Sequence, residues 1–156
     1  MSIDLFLKRF AEQPAGEAVR TEIRAVLAAH HTVGPDDLGT YFVTLPHGIA
    51  VEFLAQELES DEPFEACAFR IRRRELDARV GELVLAIARA AQCVILPVME
   101  PFTPILVDPQ QAARVPRNMA HRIDELPLCI TGAELAAVLT RAQIRTIGSP
   151  FETSPV

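Results

Sequence analysis

An α+β domain is the fold class this sequence predicts, on three observations. Apolar residues alternate with polar ones near the N-terminus and again at 67–71, two stretches carry apolar residues at helical spacing, and 41–53 reads as strand, short loop, strand. A chain of 156 residues is about one domain. At that size roughly 70% of the unfolded surface is buried on folding, so an ordinary core suffices without metal or disulfide staples.

In chain order, Ile3, Leu5 and Leu7 alternate and predict a strand, although Phe6 and Phe10 also fit one face of a helix. Gln13-Pro14-Ala15-Gly16 predicts a turn. Val19, Ile23, Val26 and Leu27 recur at helical spacing from Glu17 to His30, with Glu17 and Glu22 near the positive end of the dipole, and Gly34-Pro35-Asp36-Asp37 is expected to end that helix. The β-branched and aromatic run 41–45, the loop Pro46-His47-Gly48 and the run 49–53 predict a β-hairpin. Cys67, Phe69 and Ile71 alternate with Ala68, Arg70 and Arg72, as in a strand with one polar face.

Leu76, Val80, Leu83, Val84 and Ile87 form the apolar stripe of a second helix over 75–91. Val94-Ile95-Leu96 follows as a buried strand closed by Pro97. Ile105-Leu106-Val107 predicts a brief edge strand, 114–125 is irregular, and Leu128-Cys129-Ile130 predicts a last strand. Thr131 with Glu134 is a capping-box signature for a helix through Leu135, Val138 and Leu139. The resulting order is a ferredoxin-like β-α-β-β-β-α-β sandwich, a mostly antiparallel sheet with helices on one face, plus a C-terminal β-α appendix. Residues 1–144 form this single domain; 145–156, with Pro150 and Pro155, form a flexible tail.

Composition narrows the function classes. Lys8 is the only lysine among 15 basic residues, a bias that fits a GC-rich bacterial genome. A formal charge of −6 gains little from phosphate neutralisation, so no nucleic-acid partner is expected. Three widely spaced cysteines, Cys67, Cys93 and Cys129, suit reduced thiols in the cytoplasm rather than a disulfide framework. The N-terminus carries charge within its apolar run, unlike a signal peptide, and the longest apolar stretches are interrupted by Arg89 or Gln92, so no membrane partner is expected either.

The phrase MSIDLFLKRFAEQ, the helix, the hairpin and the run ARAAQCVILPVMEPFTPILVDPQQAARVP resemble small uncharacterised bacterial proteins, some of them encoded beside polymorphic toxins as immunity proteins. That resemblance implies toxin neutralisation and brings no site residues with it.

The sharpest local feature is 57–65, where Glu57, Glu59, Asp61, Glu62 and Glu65 fall within nine positions. As an exposed loop it either clamps a basic partner surface or stays a solvated, self-repelling segment. An EF-hand loop is excluded because its spacing and central Gly are missing. Arg70, Arg72, Arg73 and Arg74 crowd the next polar stretch. Arg70 and Arg72 share a strand face and can grip a carboxylate or phosphate; the favoured expectation is internal pairing with the acids of 57–65 and with Glu75 and Asp77. Glu100 and Asp108 flank a proline-bounded loop at a strand end, where two carboxylates can serve acid–base chemistry in a pocket.

His30, His31, His47 and His121 show no metal-ligand spacing, and His30 is expected at a helix end. The cysteines sit among apolar strand residues and are expected in the core, with Cys129 the nearest to a helix start. Phosphate-loop, dinucleotide and serine-hydrolase motifs are absent, and no cofactor is expected. Two readings follow. One is a non-enzymatic protein-interaction module, in its most concrete form an immunity protein neutralising a basic toxin domain through Glu57, Glu59, Asp61, Glu62, Arg70, Arg72 and an open sheet edge, with self-association through that edge as a variant. The other is a small-molecule-binding or enzymatic domain with its pocket near 98–109.

Overall fold

Alternation decides the first strand: in β1, Ser2–Lys8, the side chains of Ile3, Leu5 and Leu7 are buried. The computed structural model describes residues 2–13, 15–99, 103–119 and 125–141. The predicted tail at 145–156 lies outside these. Helix α1, Glu17–Ala28, buries Arg20, Ile23 and Leu27 along one face. It stops earlier than Gly34: a three-residue strand β2, His31–Val33, intervenes, and Thr32 Oγ1 donates 2.6 Å to the Leu27 carbonyl at the helix end. Three residues are too few to show a period of two, so β2 carries no signal in the sequence.

The hairpin is as expected, with β3 at Thr40–Thr44 and β4 at Ala50–Leu54. Its loop is closed by Gly48 N–H to the Leu45 carbonyl at 2.9 Å and by Leu45 N–H to the Ile49 carbonyl at 2.8 Å. Gly48 has φ +89°, a conformation costly for other residues. β5, Ala66–Arg72, buries Cys67, Phe69 and Ile71, as its alternation predicts. Helix α2, Ala78–Ala91, opens on Asp77, whose carboxylate accepts the Val80 N–H at 2.9 Å, and closes on Gln92 in the left-handed region at φ 58°. β6, Val94–Pro97, follows at once, buried along its length.

All six strands form one open sheet, in the order β2-β3-β4-β5-β1-β6, with every neighbouring pair antiparallel. The class is therefore α+β. The order is not a simple ferredoxin arrangement, because β2 extends one rim and β1 lies between β5 and β6. The predicted strands at 105–107 and 128–130 reduce to isolated bridges, Ile95 to Ile105 and Leu106 to Leu128. The predicted last helix is present as α3, residues 132–141. Its capping box is complete: Thr131 Oγ1 accepts the Glu134 N–H, and Glu134 Oε1 accepts the Thr131 N–H, each at 3.2 Å.

One face of the sheet packs Leu5, Leu7, Val51, Phe53, Phe69 and Ile71 against Ile23 and Leu27 of α1, Val84 and Ile87 of α2 and Leu135 and Leu139 of α3. Each such fully buried side chain is worth about 1.5–3 kcal/mol relative to exposure. Gly81 of α2 and Gly132 of α3 let two backbones meet. A Cβ on Gly81 would lie 2.8 Å from the Gly132 carbonyl carbon and 2.9 Å from its Cα. Glu82 Oε1 caps the same junction, accepting the Gly132 N–H at 2.6 Å. On the opposite face, Val94 and Leu96 are covered by Leu106, Val115, Met119 and Leu128.

Among the described residues that cover does not extend over the rest of the opposite face. There the β4–β5 ladder runs from Leu54↔Ala68 to Glu52↔Arg70 and stops. Its flanking ladders go further, β3–β4 to Thr44↔Ala50 and β1–β5 to Ser2↔Arg72. The ends of β4 and β5 thus part from each other while each stays paired on its other side.

Candidate functional site

Strand alternation places Phe42, Glu52, Arg70 and Asp4 in one row across the face that the helices do not cover, each opposite the next. Arg70 Nε lies 3.0 Å from Asp4 Oδ1, with Nη1 4.0 Å from Glu52 Oε2. A second row joins Leu54, Ala68, Phe6 and Leu96. Phe6 and Phe42 are each 41% exposed. An aromatic side chain on a strand usually finds a packing partner; here two are left half-open on one face, and Val98, 62% exposed, adds to the apolar surface beside Phe6.

Where β4 and β5 part, a groove of about 1040 Å³ opens, with Phe42, Ala50 and Glu52 on one side and Arg70 and Arg72 on the other. Arg73, Arg74 and Glu75 continue its wall along a short 3-10 turn, Arg73–Glu75. Four arginines there face two glutamates. The expected pairing of this cluster with the acids of 57–65 does not occur: Arg70 pairs with Asp4 and Glu52, and Arg72 reaches Glu75 at 4.0 Å. Asp77 is likewise engaged elsewhere, as the α2 cap and 3.2 Å from His47 Nε2. Among the described residues Arg73 and Arg74 have no carboxylate within 4.0 Å, and Arg73 Nε is buried without a hydrogen-bond partner.

The acidic segment is tied down by α1 instead. A 3-10 turn covers Gln56–Glu59, and Leu58 and Phe64 are wholly buried, so 57–65 is a segment with an anchored spine rather than a free loop. Arg20, only 7% exposed, hydrogen-bonds the Glu62 carbonyl, and its Nη1 lies 3.6 Å from Glu17. Arg24 donates 2.8 Å to Glu17 and 2.9 Å to the Leu58 carbonyl, and its Nε is 3.5 Å from Glu59. That guanidinium holds the Glu17 carboxyl below its ordinary value. Glu59 also accepts from Tyr41 Oη at 3.3 Å. Of the predicted contact acids, Glu57 is half-buried and Glu59, Asp61 and Glu62 are exposed. Asp61 and Glu62 have no ion-pair partner among the described residues.

Asp108 acts as a cap. Its carboxylate accepts the Gln110 N–H at 2.9 Å at the start of the 3-10 turn Pro109–Ala113, and Gln111 completes a capping box. The run Asp-Pro-x-Gln carries that signal in the sequence. Glu100, its proposed partner, and His121 lie outside the described residues. Gln111 is a buried polar hub: Oε1 accepts from Val107 and Asp108, and Nε2 donates 3.0 Å to the Cys93 carbonyl.

The three thiols are free and buried. Burial pushes the Cys67 thiol well up, with Cys93 beside it adding to the effect, and burial likewise raises Cys129. Thiols so protonated are poor nucleophiles. Among the described residues no group of three His, Cys, Asp or Glu is placed to hold a metal ion, and no helix is long and apolar enough to cross a membrane. Comparison with protein-family models, with curated proteins and with solved structures gave no match.

Proposed function

We propose that this chain is a non-enzymatic protein-interaction module that works in the cytoplasm and engages its partner through the face of the sheet opposite the helices. The observation that carries this reading is the surface over β3, β4, β5 and β1 that no described element covers, with Phe6 and Phe42 both 41% exposed and arginines at its end. Interfaces are enriched in aromatic residues and arginine at their centres, and this surface has both. Three free thiols suit a reducing compartment. The most concrete form of the reading is an immunity protein that neutralises a toxin, which rests on the sequence resemblance. In that form the exposed carboxylates of Glu59, Asp61 and Glu62 form a second contact, for a basic patch on the toxin.

The test is affinity capture from the native host with the tagged full chain and two variants. A partner held by the wild type and lost with Phe6→Ser combined with Phe42→Ser is the expected result. Equal capture by that double variant would sink the assignment of the face. Capture undiminished by Glu59→Ser, Asp61→Ser and Glu62→Ser together would remove the acidic segment from the contact.

A further inference from the structure

We propose that the groove between the parted ends of β4 and β5 binds an extended acidic peptide segment of the partner. This rests on the reading of the chain as a protein-interaction module and names the chemistry that the module recognises. Three independent observations converge on it. The β4–β5 ladder ends at Glu52↔Arg70 although β4 continues to Ala50 and β5 to Arg72, so the exposed strand ends at Ala50 and Arg72 are not paired with each other across the groove, while Val51 and Ile71 between them are buried. Backbone edges of this kind recognise extended chain through main-chain hydrogen bonds.

The second observation is charge. The chain is acidic overall at −6, yet this groove gathers four of its arginines against Glu52 and Glu75. Arg70 is held by Asp4, but Arg72 is 66% exposed and 4.0 Å from Glu75, and among the described residues Arg73 and Arg74 have no carboxylate within 4.0 Å. Guanidinium forks match carboxylates in a two-point geometry, so the free charge here selects an anionic occupant. The third is shape. At about 1040 Å³ the groove is at the upper end of the size range of ligand pockets and has room for a short extended segment, and Phe42 and Ala50 line it with apolar surface. In an extended segment, alternate side chains point the same way. A segment alternating glutamate with an apolar residue can therefore present carboxylates to Arg72, Arg73 and Arg74 and its apolar side to Phe42.

The probe is a fluorescein-labelled hexapeptide of Val-Glu repeated three times, followed by anisotropy with the full chain at about 0.01 M ionic strength, where charge interactions reach ~30 Å. A Val-Gln repeat is the neutral control. Saturable binding of the Glu peptide, about tenfold tighter than the Gln peptide and weakened about tenfold or more by Arg72→Glu with Arg74→Glu, is the expected result. Both positions are on the surface; should the reversal variant lose its far-UV signal, Arg72→Gln with Arg74→Gln replaces it and the same loss is expected. Equal binding of the two peptides, or retention of binding by the folded arginine variant, overturns the proposal. Displacement of the peptide by a short oligothymidylate at lower concentration than by unlabelled peptide also overturns it, in favour of a nucleic acid. Failure of the peptide while partner capture still depends on Phe6 and Phe42 sinks the acidic-segment assignment alone. Arginine-dependent peptide binding with capture indifferent to both phenylalanines upholds the groove and sinks the face.

Discussion

Two side chains on α1 and β3 show how a local sequence choice reaches a distant segment. Arg20 is buried, and its guanidinium serves the backbone at Glu62, 42 positions away. Replacing it by Met keeps most of the aliphatic bulk but removes a charged donor from a carbonyl, a change worth about 2 kcal/mol. Arg20→Met is therefore expected to lower the urea midpoint and to speed proteolysis within 60–65, and an unchanged midpoint would show the contact to be idle. Tyr41 is the only tyrosine and the chain has no tryptophan. Burial, with the Glu59 carboxylate close by, pushes its phenol up to about 12 from an ordinary 10. The unfolded chain gives up that proton more readily than the folded one, so stability falls as pH rises from 10 towards 12. An ultraviolet difference titration should place the phenolate transition near 12, and a midpoint near 10 would contradict the buried position.

Elements differ in how much of their making the sequence carries. Ile3, Leu5 and Leu7 announce β1, the Pro-His-Gly loop announces the hairpin, and Thr131 with Glu134 announces α3, because each signal is complete within a few neighbouring residues. β2 had no such signal. The strand order had none either, since pairing of 2–8 with 66–72 is decided by contacts far apart in the chain. The site was legible in part: Arg70 and Arg72 do share an outward face, but the parting of β4 from β5 has no local mark, nor has the hold of Arg20 and Arg24 on the acidic segment. The junction of α2 with α3 gives the prediction at this scale. Gly81→Ala drives a methyl group into the backbone at Gly132, where no side chain can swing aside, and is expected to cost about 3 kcal/mol. Gly16→Ala, at a position with open space around it, is the control. A drop in Tm for the first and little change for the second would bear this out; equal behaviour would not.

For the molecule as a whole, a single apolar cluster draws on β1, β3, β4, β5, β6 and all three helices. Shared packing of this extent couples the elements, so far-UV dichroism and Tyr41 fluorescence are expected to report the same urea transition. Separate midpoints for the two probes would mean that the hairpin opens on its own. The same layering leaves one side of the sheet for the proposed contact: the helices satisfy one face and, among the described residues, Leu106, Val115, Met119 and Leu128 cover the β6 end of the other.

The two rims of the sheet carry a last consequence. One is β2, three residues long, and the other has Ile105 bridged to Ile95. Among the described residues neither rim presents the long, flat template on which identical chains stack into fibrils, so crowding many copies together leaves each of them little to nucleate upon.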